Sequence, residues 1–112
     1  MQSRDQQIFD HMFDYCEDIE DILKKVNNDP EIFLADKTAQ YALAFSILQI
    51  GELVSKLSDD LKYETKGIID WRSIKGMRNI IAHDYGEINL DLVWDVASTD
   101  IPALKKFCEE QL

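Results

Sequence analysis

Tyr41-Ala42-Leu43-Ala44-Phe45-Ser46-Ile47-Leu48-Gln49-Ile50 is the stretch on which the fold turns. It reads as the middle of a helix running from about residue 36 to residue 57, and it leaves almost no polar face. A helix that is apolar all round has to be covered on all sides. In a chain of 112 residues one protomer can hardly supply that cover, so part of the surface is expected to pack against a second subunit, with Gly51 permitting close backbone approach. The other reading is a central helix buried within its own bundle.

Working outward toward the N-terminus, Ile8, Met12, Tyr15, Ile19, Ile22 and Val26 repeat at three- and four-residue spacing, the mark of a helix with one buried stripe. Asp10, Asp14, Glu17, Asp18 and Asp21 form the opposite face. Carboxylates at such spacing are compatible with a metal site, but a solvated helix face explains them, and no metal is expected. Asn27-Asn28-Asp29-Pro30 ends this helix, because proline cannot continue it and the residue before proline avoids helical dihedrals.

Toward the C-terminus, residues 58–69 lack sustained periodicity and carry Gly67, so they read as a loop beside which a substrate strand could lie. Asp70 is an expected N-cap for a third helix whose inner stripe holds Trp71, Ile74, Met77 or Arg78, and Ile81. Asn89 or Asp91 caps a fourth, and Pro102 either kinks it or starts a fifth. The expectation is an all-α, up-and-down four- to five-helix bundle, one domain over residues 1–112 and dimeric.

The formal net charge of −10 argues against a protein that holds nucleic acid by general electrostatic attraction. The charge is uneven, however. Between Lys62 and Arg78 five cations (Lys62, Lys66, Arg72, Lys75, Arg78) stand against two acids (Glu64, Asp70). Lys62, Lys66, Arg72 and Lys75 are therefore candidate RNA-binding residues. Cys16 and Cys108 stand alone without metal-ligand spacing and read as buried apolar residues of a reducing cytosol. No export signal is visible, and the apolar run is too short to span a bilayer, so a cytoplasmic protein is expected.

The chemistry concentrates in Met77-Arg78-Asn79-Ile80-Ile81-Ala82-His83-Asp84-Tyr85-Gly86. Guanidinium presents a planar fork of donors to phosphate oxygens, and imidazole, with an ordinary pKa of about 6.5, takes or gives a proton near neutrality. Metal-free RNA cleavage needs both jobs done. On a helix Arg78 and His83 point about 140 degrees apart, so they do not share a face. Either the helix ends near His83, as Gly86 favours, or two copies of the motif meet across a symmetry axis.

These residues resemble the HEPN superfamily, and within it the HepT-like toxins of MNT–HEPN toxin–antitoxin pairs, whose signature is Arg, four to six residues, His, any residue, Tyr. Arg78, His83 and Tyr85 match it. The likeness extends through Gln49-Ile50-Gly51-Glu52-Leu53, residues 71–79, Leu92-Val93-Trp94 and Asp100-Ile101-Pro102-Ala103-Leu104.

The resemblance implies the toxin of a type VII-like toxin–antitoxin system, a metal-independent endoribonuclease without cofactor. Arg78 and His83 are its expected catalytic residues: His83 as general base or acid, Arg78 on the scissile phosphate. Asn79 supports them, and a homodimer brings two copies of the pair to one phosphate in a composite cleft. It further implies a partner, a minimal nucleotidyltransferase antitoxin that silences the toxin by transferring AMP to Tyr85. Tyr85 is otherwise a hydrogen-bonding support for His83. A different class of reading is a non-catalytic HEPN-type module that binds nucleotide or protein through the same residues.

Overall fold

The computed structural model describes residues 3–83 and 88–111, with side chains for all of these except residue 3 and residues 78–83. The described residues are helical with no strand, as the sequence predicts. Helix α1 (Ser3–Lys25) buries Ile8, Phe9, Met12, Cys16, Ile19 and Leu23, while Asp10, Asp14, Glu17, Asp18 and Asp21 are exposed. The acidic face is solvated. It ends where Asn27 and Asn28 take left-handed dihedrals (φ 57° and 52°), and the Asn28 N–H donates to the Leu23 carbonyl at 2.8 Å. Asparagine tolerates that region better than other residues that carry a Cβ.

Pro30, expected only to end the first helix, instead begins a second one, after the two asparagines have already ended α1. In the short α2 (Pro30–Leu34), Asp29 is the N-cap and accepts from the Glu31 N–H at 2.9 Å, and proline at the first helical position gives up an N–H that had no partner there anyway. Helix α3 (Lys37–Val54) follows, its N-terminus capped by Asp36, which accepts from the Ala39 N–H at 3.1 Å. It lies between α1 and helix α5 (Trp71–His83). Leu43, Ala44, Ile47, Ile50, Gly51 and Val54 are buried between them, so one protomer covers most of this helix by itself. Two large side chains escape: Tyr41 is 69% exposed and Phe45 58%.

Residues 59–64, expected as loop, form helix α4 (Asp59–Glu64), whose one buried residue is Leu61. Helix α6 (Leu90–Asp95) is capped by Asn89, which accepts from the Leu92 N–H at 3.1 Å. Pro102 falls in the first turn of the last helix, the second of its two sequence readings. The chain passes from α6 through a widened π turn, Val96–Asp100, into α7 (Ile101–Gln111), with the Ile101 N–H reaching back five residues to the Val96 carbonyl. A proline ring collides with the carbonyl four residues before it, and widening the turn is one way to make room. Helix α7 packs on α1 through an edge-to-face contact of Phe9 and Phe107 and a 2.8 Å ion pair of Lys105 with Glu20. Among the described residues no helix is long and apolar enough to cross a membrane.

Candidate functional site

Two structural segments carry the predicted site residues other than Tyr85: the corner where α4 turns into α5, and the body of α5. Ser58 caps α4, its Oγ accepting from the Leu61 N–H at 3.3 Å. The far end of α4 is tied to the start of α5 by a relay: Thr65 Oγ1 donates to the Leu61 carbonyl at 2.8 Å and accepts from Trp71 Nε1 at 2.8 Å. Trp71 is itself buried, its ring edge-on to Phe107 at 5.9 Å between centroids. Asp70 caps α5 as predicted, accepting from the Ser73 N–H at 3.0 Å. The corner is thus fixed to the core through one indole.

This corner encloses an open depression of about 490 Å³. Ile69 and Trp71 supply apolar lining, and Lys62, Tyr63, Lys66, Asp70 and Arg72 the rest. Three of the four predicted RNA-binding cations therefore meet in one place. Lys75 is exposed on α5 and does not line it. Lys62 lies 3.7 Å from Asp59, a surface pair of small energetic weight, and Lys66 sits over the Tyr63 ring at 4.1 Å from its centroid. Among the described residues no salt bridge engages Lys66, Arg72 or Lys75.

Tyr63 is the residue that sequence reading missed here. Its signal was present: Ser58 followed by Asp59 and Asp60 is an N-cap with acids in the first turn, and a helix starting there brings Lys62, Tyr63 and Lys66 within one turn of each other.

Arg78, Asn79 and His83 all belong to α5, which is helical through His83. Their side chains lie outside the described ones, as do residues 84–87, which include Tyr85 and Gly86. Helix geometry nevertheless relates the positions. Around the α5 axis Asn79 and His83 fall within about 20 degrees of Arg72, Gly76 within about 40, and Arg78 about 140 degrees from His83. One line along the helix therefore joins the basic depression to His83.

A family model described as "Ribonuclease HepT-like" matches residues 12–111. The Methanocaldococcus jannaschii protein MJ1216, provisionally named an RNase, is 32% identical over 111 residues, 98% of this chain and 89% of that one. A Thermococcus cleftensis protein named a probable ribonuclease HepT is 31% identical over 97 residues, covering 82% of this chain and 87% of its own length. The Shewanella oneidensis mRNA nuclease HepT is 28% identical over 95 residues, 84% of this chain and 62% of its own. No solved structure matches significantly. Similarity over nearly the whole length, on an all-helical chain that carries the signature within and just beyond α5, assigns the protein to the HepT-like ribonuclease family.

Proposed function

We propose that this chain is a metal-independent endoribonuclease and the toxin of a toxin–antitoxin pair, acting as a homodimer with a composite Arg78/His83 site. The observation that carries the reading is the coincidence, in a family of ribonucleases, of Arg78 and His83 on one helix whose first turn borders a basic depression. His83 moves the proton of the ribose 2′-hydroxyl or of the leaving 5′-oxygen, and Arg78 holds the phosphate and stabilises its growing charge. One histidine does not easily perform both transfers at once. Because positions 78 and 83 stand about 140 degrees apart on a helix, two copies facing each other supply an arginine and a histidine from each side. Tyr41 and Phe45, the exposed apolar residues of α3, give such a pairing an apolar surface to bury.

Attack by the 2′-hydroxyl leaves a 2′,3′-cyclic phosphate. Purified protein incubated with RNA and a strong chelator is expected to produce that end, and His83→Ala and Arg78→Ala to lose roughly a hundred- to ten-thousand-fold in rate while remaining helical. Loss of cleavage on chelation would remove the metal-free mechanism. The second reading, a non-catalytic module meeting a basic partner, draws on the net charge of −10, and intact RNA after prolonged incubation would favour it.

We further infer that a cognate minimal nucleotidyltransferase silences the toxin by attaching AMP to Tyr85. An anionic adduct two residues from His83 repels the phosphate backbone that Arg78 is to bind.

A further inference from the structure

Tyr63 is 70% exposed, more than any other large hydrophobic side chain described, and cleavage chemistry at Arg78 and His83 makes no use of it. The Lys66 ammonium stands over its ring at 4.1 Å, which leaves the ring held by a cation while most of its surface faces solvent. An aromatic face beside free cations is how sequence-tolerant single-strand binding is built: bases stack on the ring and phosphates meet the charges. Lys62 and Arg72 flank the same depression of about 490 Å³, whereas Trp71, the other aromatic there, is buried with its indole N–H committed to Thr65.

An independent observation concerns Gly76, between Arg72 and Asn79 near the line that leads to His83. Glycine inside a helix lowers its stability relative to alanine. Nothing among the described residues demands it: its φ is not positive, and a Cβ built there comes within 4 Å of no described neighbour. A glycine with empty space before it, on a stripe leading from a basic depression to a histidine, is a place where something from outside approaches the backbone closely.

We propose that the α4–α5 corner is a single-stranded RNA subsite. A base stacks on Tyr63, adjoining phosphates meet Lys66 and Arg72, and the strand then crosses α5 at Gly76 toward His83, which lies about 16 Å beyond Arg72 along the axis. Asp70, the acid in the lining, is engaged as the helix cap and keeps phosphate to the Lys66 and Arg72 side. The direction of the strand rests on the ribonuclease reading; binding at the corner does not.

The test is fluorescence anisotropy with a labelled single-stranded RNA of about twelve nucleotides, on a His83→Ala background so that the RNA survives. Tyr63→Ala is expected to weaken binding roughly five- to a hundredfold and Tyr63→Phe to retain it. Lys66→Gln and Arg72→Gln should each reduce the slope of log affinity against log salt by about 0.7. Gly76→Ala should melt no lower than its parent yet bind RNA more weakly. With His83 restored, the penalty of Tyr63→Ala should be larger on long RNA than on a dinucleotide, which is too short to reach the corner. Parental binding by Tyr63→Ala and Arg72→Gln overturns the subsite, as do equal penalties on both substrates. A Gly76→Ala effect confined to oligomeric state overturns the path of the strand, because that position then faces a second copy. If the wild type cleaves neither substrate the ribonuclease reading fails, and the anisotropy still decides the subsite.

Discussion

The carboxylate of Asp5 and the hydroxyl of Ser58, 53 positions apart in the chain, meet at 2.8 Å where Asp5 is only 2% exposed. The same carboxylate accepts from the Ser58 N–H at 3.1 Å, and Ser58 Oγ in turn accepts from the Leu61 N–H. The first turn of α1 thereby holds the cap of α4, the helix that carries Lys62 and Tyr63. Asp5→Ala strips Ser58 of both contacts and is expected to cost about 1–3 kcal/mol in urea unfolding. Asp5→Asn, which keeps one acceptor, should cost less.

Tyr41 and Phe45 give the proposed dimer a direct test. Phe45→Glu, at an exposed position, should leave the protomer folded and split the dimer, with cleavage falling in step, as read by light scattering and an RNA assay. Ala44→Glu one residue earlier is expected to do something different. Ala44 is 7% exposed within its own protomer, so an unpaired carboxylate there unfolds the chain instead of separating two folded copies. A wild type that scatters as a monomer at micromolar concentration would defeat the composite site.

Tyr85→Phe is expected to keep the fold and resist silencing by the nucleotidyltransferase and ATP, with some loss of cleavage if the phenol also steadies His83. Mass spectrometry decides this. AMP on another side chain, or equal modification of wild type and variant, refutes the assignment.

Asp100 predicts a pH dependence of known sign. Burial raises its pKa above the ordinary 3.8, and the carboxylates of Asp70 and Asp95 push the same way. Its ionised form is therefore disfavoured in the folded state, a penalty that applies above the raised pKa and disappears below the ordinary carboxylate value. Asp100→Asn should raise the unfolding midpoint at neutral pH and make no difference in strong acid. Glu20 behaves oppositely: hydrogen bonds from Lys105 and then Lys24 lower its pKa, so its contribution is present at neutral pH and lost on acidification. Comparing Glu20→Gln with Asp100→Asn across pH should give slopes of opposite sign.

The sequence made the long helices legible because each writes its burial as periodicity. The stripe of Ile8, Met12, Tyr15, Ile19, Ile22 and Val26 shows which face of α1 is inside: Ile8, Met12, Ile19 and Val26 are buried, and Tyr15 and Ile22 are half-buried against the same core. The closed apolar circumference of α3 could not show whether α1 and α5 or a second copy supplies the cover, since that depends on contacts from residues far away in the chain. Helix α4 escaped notice for another reason. Six residues with one buried side chain, Leu61, are too few to display a period, and the cap that starts it is held by a residue 53 positions away. At the site, the chemistry of Arg78 and His83 is plain from residue type and spacing, as is the local excess of cations. That Lys62, Lys66 and Arg72 gather while Lys75 stands aside follows only from the folded corner between α4 and α5, which residues 65–70 form.

The widened turn at Val96–Asp100 gives this part of the molecule one residue of slack in chain length. Ser98 and Thr99 are exposed, so their side chains can vary with little consequence. Removing either residue can close the bulge to an ordinary turn, and because a π turn uses about one residue more than an α turn for the same rotation, everything beyond it keeps its phase. Leu104, Phe107 and Cys108 then stay turned toward α1, and only a second deletion, with no bulge left to absorb it, would swing them away and bring exposed neighbours such as Ala103 and Lys106 inward. A lineage of this chain can therefore lose one residue across the bulge and keep the C-terminal helix in phase, provided that Pro102, whose ring the wide turn accommodates, is replaced along with it.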